Sequence, residues 1–321
     1  MAKGVTKIVH KFRSVQVLRA LAASAVAFLH CYQVVGAPTG AEGYGAFGVD
    51  LFFVISGFIM AQVAGRRTAT EFVRDRLWRI YPMWWIALLP WLILLPRGYD
   101  EVVASLSLWP IMHGEHFVPI LQVGWTLSFE LLFYAAVTLA ILSRLWVPLL
   151  LFGALMVGAL FTQAPLIHFL GNPIALEFAL GVIVARLPRR MLFATAGLVG
   201  VALLAVTAPT GGSARETLAE PWFALARVGQ WGIPAALMLW GTLCLDPVFN
   251  RPQFDNLVLA GDASYSIYLV HPLVGYGLDA PWPIKLASAI LFGIALHLTV
   301  ERRLLAFAKR RHRQAPTLAT V

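Results

Sequence analysis

Residues 17–30 read VLRALAASAVAFLH, an apolar stretch that nonetheless carries Arg19 and His30. A helix needs roughly 20 apolar residues to cross about 30 Å of hydrocarbon. An ionisable side chain there is costly unless it has a partner or a task. At 100° per residue, the eleven-residue step from Arg19 to His30 ends only about 20° beyond three full turns. Both side chains therefore leave the same face, about 16 Å apart along the axis. Taken singly, Arg19 reads as an anchor snorkelling to the interface and His30 as a helix-to-helix hydrogen bond. Sharing a face, they suggest a polar path through a helix bundle.

The rest of the chain agrees with a membrane reading. Of 321 residues, 59% are hydrophobic and 13% charged, against about 25% charged in soluble domains. About ten apolar runs are expected, near 15–35, 46–64, 80–95, 120–142, 147–161, 173–187, 192–208, 222–244, 263–278 and 284–307. The third, fifth and ninth are short or weak. This predicts an all-α, polytopic membrane bundle over 15–307, with basic tails at 1–14 and 308–321 and no extra soluble domain. The net charge of +9 falls in short segments between apolar runs, which argues for membrane topology and against nucleic acid. Lys3, Lys7, Lys11 and Arg13, then Arg66, Arg67, Arg74, Arg76 and Arg79, then Arg186, Arg189 and Arg190, then the C-terminal cluster from Arg302 fall on one side if the spans number ten. Arg97, Arg215 and Lys285 fall on the other. Both termini are then cytoplasmic. Outer loops 96–119 and 209–221 are candidate covers for a site. Cys31 and Cys244 lie at opposite depths, so no disulfide is expected. No cleavable signal and no internal repeat are apparent.

Further ionisable groups recur inside the runs. GVDLFFVISGF (48–58) puts Asp50 at a depth like that of His30, either to orient the imidazole or to favour the first turn of its own helix. Ser56 and Gly57 suit close helix packing. FVRDRLWRIYP (72–82) places Arg76 and Arg79 three apart, on one face if helical. Their forked donors match phosphates, although topology and lipid headgroups also explain such clusters. Pro82 suits the first turn of the third span. VGWTLSFELLFY (123–134) carries Glu130, a carboxylate within an apolar span that must pair or be protonated. Trp125 there is an interfacial anchor by default. GNPIALEFALG (171–181) adds Glu177. GDASYSIYLVHP (261–272) adds Tyr265, Tyr268 and His271, the last two on one face. His297 and Glu301 lie in the tenth run.

These pieces, in this order over residues 15–275, resemble the acyltransferase 3 family of membrane-bound O-acyltransferases, most closely its exopolysaccharide-modification branch. The resemblance implies an acyl-CoA donor, acetyl-CoA foremost, entering from the cytoplasm, and no metal. It implies an acceptor hydroxyl on an exopolysaccharide, another surface glycan or a lipid-linked saccharide precursor. It makes His30 the catalytic histidine and Arg19 its paired arginine, and it matches Arg76, Arg79 and Glu130 to family positions. The Val-Glu-Arg-Arg at 300–303 departs from the Glu-x-Pro of many members, so Glu301 receives no role. Many relatives carry an additional extracellular hydrolase-like domain, which this chain lacks.

The mechanism expected is transfer within the bundle. Arg19, Arg76 and Arg79 hold CoA phosphates at the inner mouth, and pantetheine, about 15–20 Å long, delivers the thioester to His30. His30, tuned by Asp50 or Glu130, acts as general base, with an acyl-enzyme as the competing scheme. Trp125, Ser128, Glu177, Tyr268 and His271 are candidate acceptor-site residues. The setting expected is a bacterial inner membrane, with membrane lipid around the protein and a homo-oligomer or polysaccharide-assembly proteins as partners. The rival readings are a transporter or flippase using a buried proton relay, and a structural subunit.

Overall fold

The computed structural model describes residues 11–33, 41–95, 97–110, 119–207 and 214–314. Among the described residues all regular structure is helical and no strand occurs, since hydrocarbon forces backbone hydrogen bonds to close within each segment. Helices α1 (Arg13–Gln33) and α2 (Phe47–Val63) lead into a long α3 (Ala69–Leu94), a short α4 (Tyr99–Ser107) and α5 (Gly124–Leu142). Next come α6 (Trp146–Phe161), α7 (Pro165–Leu170), α8 (Leu176–Val184), α9 (Thr195–Val206) and α10 (Ala214–Ala219). Helix α11 (Pro221–Arg227) continues through a π-helical turn into α12 (Ile233–Cys244). The last four are α13 (Asp255–Asp262), α14 (Ser264–Gly277), α15 (Trp282–Leu296) and α16 (Arg302–Gln314). A second π-helical turn, His297–Glu301, joins α15 to α16.

Six helical stretches are long and apolar enough to cross a membrane: Arg13–Gln33, Gly43–Arg66, Ala69–Leu94, Gly124–Leu142, Pro165–Val184 and Trp282–Arg310. The pair Pro252–Asp262 and Ser264–Gly277, bent by 63°, makes a seventh if taken as one broken span. Every one of the ten expected apolar runs coincides with helix. The smaller number reflects segment length, since α6 and the stretch Met191–Val206 are apolar but short. The protein is thus a multi-pass membrane helix bundle.

Small residues set the tightest contact, between α2 and α8. A Cβ on Gly57 would collide with the Phe178 carbonyl, and one on Gly181 with the Val54 carbonyl. The backbones touch, as small residues allow where helices must pack without a hydrophobic driving force. Helix α1 lies centrally, against α2, α13, α14 and α15. Its first turn is tied to the segment before α14: the Ser14 amide and hydroxyl donate to Asp246 Oδ1 at 2.9 and 2.6 Å, and Arg13 pairs with Asp255 at 2.5 Å. A stacked aromatic row fills the core: Phe53 on Phe178 at 4.6 Å, Phe133 on Phe178 at 4.4 Å and Phe129 on Phe169 at 4.6 Å.

Two sequence expectations change. The third helix begins at Ala69, eleven residues before the expected start of the span, because Thr68 and Glu71 form a reciprocal capping box that satisfies free amides at its start. The arginines of 72–79 are therefore helical, and Pro82 lies inside α3 instead of in its first turn. Lys285, within the expected tenth run, lies near the start of α15, 4% exposed, and donates to the Gly275 carbonyl at 2.6 Å. The two cysteines are free and buried, as expected. Residues 96 and 111–118 of loop 96–119, part of 209–221 and the outer parts of both basic tails, with Lys3 and Lys7, lie outside the described residues.

Candidate active site

Three helices bring three guanidiniums and one carboxylate to a single cavity of about 130 Å³. On the scale where one water takes about 10–15 Å³, it holds roughly ten waters or a slender arm of a ligand, not a nucleotide. Helix α1 supplies Arg19, whose Nε donates to Ser264 Oγ at 3.1 Å. Helix α3 supplies Arg76 and Arg79, one turn apart as their spacing predicted. Helix α5 supplies Glu130, which accepts from Ser56 Oγ at 3.1 Å and from the Tyr134 hydroxyl. Ser56 therefore belongs to the site, whereas its neighbour Gly57 serves packing.

The three cations are not equivalent. Arg79 forms an ion pair with Glu301 and lies over the Tyr265 ring, 5.2 Å from its centroid. Glu301 is 1% exposed and also accepts from Ser266 Oγ and His297 Nδ1, both at 2.7 Å. The π-helical turn His297–Glu301 carries both His297 and Glu301; such turns recur at functional sites. Arg76 lies beside two packed rings, 6.0 Å from the Phe72 centroid and 5.9 Å from that of Tyr134, and its buried Nε has no hydrogen-bond partner. Arg19 and Arg76 thus face the cavity with hydroxyl and ring neighbours, while Arg79 is already balanced by a carboxylate.

The cavity lining ends at Thr126 and Tyr268. The Tyr268 hydroxyl lies 2.9 Å from Thr126 Oγ1 and donates to the Val123 carbonyl at 3.2 Å, which ties α14 to the start of α5. Its ring packs edge-on with Phe52 at 5.8 Å and with His271, also at 5.8 Å. Beyond it stand two imidazoles. His271 Nε2 lies 3.1 Å from His30 Nδ1, with ring centroids 4.9 Å apart. His30 Nδ1 also lies 3.0 Å from the Val26 carbonyl, one turn back on α1. Arg19 therefore lines the cavity, whereas His30, expected to share one polar path with it, does not. His30 itself stands one ring beyond the cavity, behind Tyr268 and His271.

Other predicted residues go elsewhere. Asp50 cannot tune His30, because both its oxygens are bound by Arg227, from Nε at 2.9 Å and Nη2 at 2.7 Å. Arg227 also donates to Thr217 Oγ1 and to the Ala46 carbonyl. Glu177, fully buried, adjoins this pair and not the cavity. Glu130 likewise bonds its serine and tyrosine and not His30. Trp125 is 6% exposed, edge-on to Phe53 and Phe129, and so is core instead of an interfacial anchor or a ligand contact. Ser128 donates to the Leu108 carbonyl at 2.8 Å, pinning α5 to the end of α4. The residues that the sequence reading missed are Arg227, Tyr134 and the role of Glu301. Arg227 was visible as a lone cation in the eighth run, and Tyr134 as a hydroxyl one turn beyond Glu130. Among the described residues no group of three or more His, Cys, Asp or Glu side chains is placed to hold a metal ion.

Residues 12–300 match the family model described as an acyltransferase domain. Over 313 residues the chain is 34% identical to the exopolysaccharide production protein ExoZ of Rhizobium meliloti strain 1021, covering 83% of this chain and 92% of that protein. It is 28% identical over 321 residues to BcsY, a candidate membrane-bound transacylase of Komagataeibacter xylinus, covering 87% and 75%. No solved structure matches the chain.

Proposed function

The chain belongs to the acyltransferase domain family, and from that premise we propose that it moves an acyl group, acetyl foremost, from cytosolic acyl-CoA to a hydroxyl of an exopolysaccharide or its lipid-linked precursor. That it is a membrane O-acyltransferase follows from the family and its relatives, and this class displaces the transporter and scaffold readings. The glycan acceptor extends the printed role of the ExoZ relative. The observation that carries the donor assignment is the convergence of Arg19, Arg76 and Arg79 on one small cavity, one of whose lining residues, Tyr268, adjoins the His271–His30 pair.

The cavity is too small for a nucleotide, so the CoA phosphates stay at its mouth on the guanidiniums, and the slender pantetheine arm enters. Arg76 and Arg19 make these contacts, since Arg79 is already engaged by Glu301. The thioester passes Tyr268 to reach His30. The Val26 carbonyl can only accept, so His30 Nδ1 carries the proton and Nε2 is the base. Nε2 takes the acceptor hydroxyl's proton as that oxygen bonds to the acyl carbon. The carbon–sulfur bond then breaks, and the CoA thiolate leaves with the proton from His30. The bundle forms one membrane domain over 15–307. It crosses a bacterial inner membrane ten times with both termini cytoplasmic, which sets the guanidiniums inside and His30 toward the outer leaflet. A homo-oligomer or polysaccharide-assembly proteins are the expected neighbours.

The test is purified protein in lipid nanodiscs with radiolabelled acetyl-CoA and glycan acceptor, reading free thiol and labelled glycan. Acceptor-dependent thiol release that vanishes in a folded His30→Ala variant is expected. Full transfer by that variant removes His30 as the base, and solute flux without thiol release removes the function.

A further inference from the structure

We propose that His271 is a positioning residue for the base: His30 and His271 form a dyad in which His271 Nε2 accepts the proton held on His30 Nδ1. The inference rests on the reading of His30 as the base. It begins from the two contacts of one nitrogen. His30 Nδ1 lies 3.0 Å from the Val26 carbonyl and 3.1 Å from His271 Nε2. The carbonyl is an acceptor only, so Nδ1 is protonated, and two N–H groups cannot face each other across 3.1 Å. His271 Nε2 must then present its lone pair, and His271 carries its own proton on Nδ1.

His271 Nδ1 is buried without a hydrogen-bond partner, so the contact through Nε2 is the hydrogen bond that holds this ring. His271 is 0% exposed, so its ring is held by packing and cannot turn away from His30.

Catalytic histidines are commonly oriented by a carboxylate. Here no carboxylate among the described residues bonds either imidazole: Asp50 is held by Arg227, and Glu130 by Ser56 and Tyr134. A neutral partner suits an apolar interior. The resting dyad carries no charge and incurs no ionic desolvation. When His30 Nε2 takes the acceptor's proton, the imidazolium charge that appears spreads over two rings, so the contact strengthens as the reaction proceeds. As the thiolate takes the proton from Nε2, the dyad returns to its neutral state, and no net proton is stored.

The test uses the full protein in nanodiscs. Outer partners that orient a histidine are worth about 10–100-fold. His271→Ala should lower acceptor-dependent kcat by about that factor while the donor KM moves less than about twofold. His271→Gln, whose amide oxygen can accept from Nδ1–H, should recover at least about tenfold of a full loss. Near-normal kcat in His271→Ala, or no difference between Ala and Gln, overturns the dyad. Should neither variant insert, nitrogen-15 NMR of histidine-labelled wild-type protein decides: a scalar coupling between His30 Nδ1 and His271 Nε2 supports the contact, and its absence sinks it. Full activity in His30→Ala would instead refute the base itself. A dead His30→Ala beside an active His271→Ala would refute the dyad alone.

Discussion

Two charge clusters inside the bundle behave oppositely. Around Arg227 the chain supplies the cation's partners: Asp50 takes two of its donors, and Thr217 and the Ala46 carbonyl take others, although both oxygens of the adjoining Glu177 are buried without a hydrogen bond. Arg227 is 4% exposed, Asp50 0%. Around Arg76 the protein leaves space instead. That guanidinium lines a cavity beside two packed rings and has a buried Nε without a partner, and Arg19 on the same cavity donates to a serine hydroxyl. An ionisable group inside a membrane span is therefore weak evidence of chemistry by itself. What separates scaffold from site is whether the partners come from the chain or must come from a ligand.

The sharpest way to break this contrast is at the closed cluster. Removing one member of a buried ion pair costs about 3–5 kcal/mol, so Asp50→Asn should sharply reduce the folded protein recovered. The check is yield of monodisperse protein and its thermal unfolding. Replacing both partners, as in Asp50→Leu with Arg227→Met, should recover part of that loss, because well-packed apolar side chains substitute for a buried pair at little net cost. A stably folded Asp50→Asn that has lost transfer would move Asp50 from scaffold to site.

At the open cluster the expected effect is smaller and lies elsewhere. A hydrogen bond to a charged group contributes about 1.5–3 kcal/mol. Arg76→Ala should therefore raise the donor KM by about 10- to 100-fold while leaving unfolding near wild type. Direct binding of CoA to the two proteins checks this. Unchanged CoA binding with a collapse in stability would mean that Arg76 is structural after all and that the two clusters are alike.

The sequence carried the helical class and the apolar segments well, because burial in lipid writes itself into long local runs. The run at 263–278 meets α14 (Ser264–Gly277) within a residue at either end. The grouping of Arg19, Arg76 and Arg79 was also legible, since helical periodicity and depth suffice to gather them at one level of the bundle, whereas Glu130, expected in the outer half near His30, joins them on the cavity instead. What depth cannot give is azimuth. Asp50 and His30 were placed at a common level, yet Asp50 turns to a partner 177 residues away on another helix. Glu301 was similarly opaque, since its partner Arg79 lies 222 residues away and a π-helical turn, which changes the rotation per residue, carries it. The earlier start of α3 was readable: Thr68 and Glu71 have the spacing of a capping box. The apolar run drew the reading past it.

The smallest effect tests the boundary between the open cavity and the imidazoles. Tyr268 ends the lining, with its ring against Phe52 and His271 and its hydroxyl on Thr126 and the Val123 carbonyl. Tyr268→Phe keeps the ring and removes only the tie to α5. A neutral hydrogen bond is worth about 1 kcal/mol, so acceptor-dependent turnover should fall by no more than about fivefold, with the donor KM unmoved. Steady-state kinetics at saturating donor checks the first, and donor titration the second. A loss above about 100-fold at unchanged stability would exceed what a lost tie between helices can account for. The hydroxyl would then donate to the oxyanion that forms at the acyl carbon, and Tyr268 would move from the wall between the two regions into the chemistry itself.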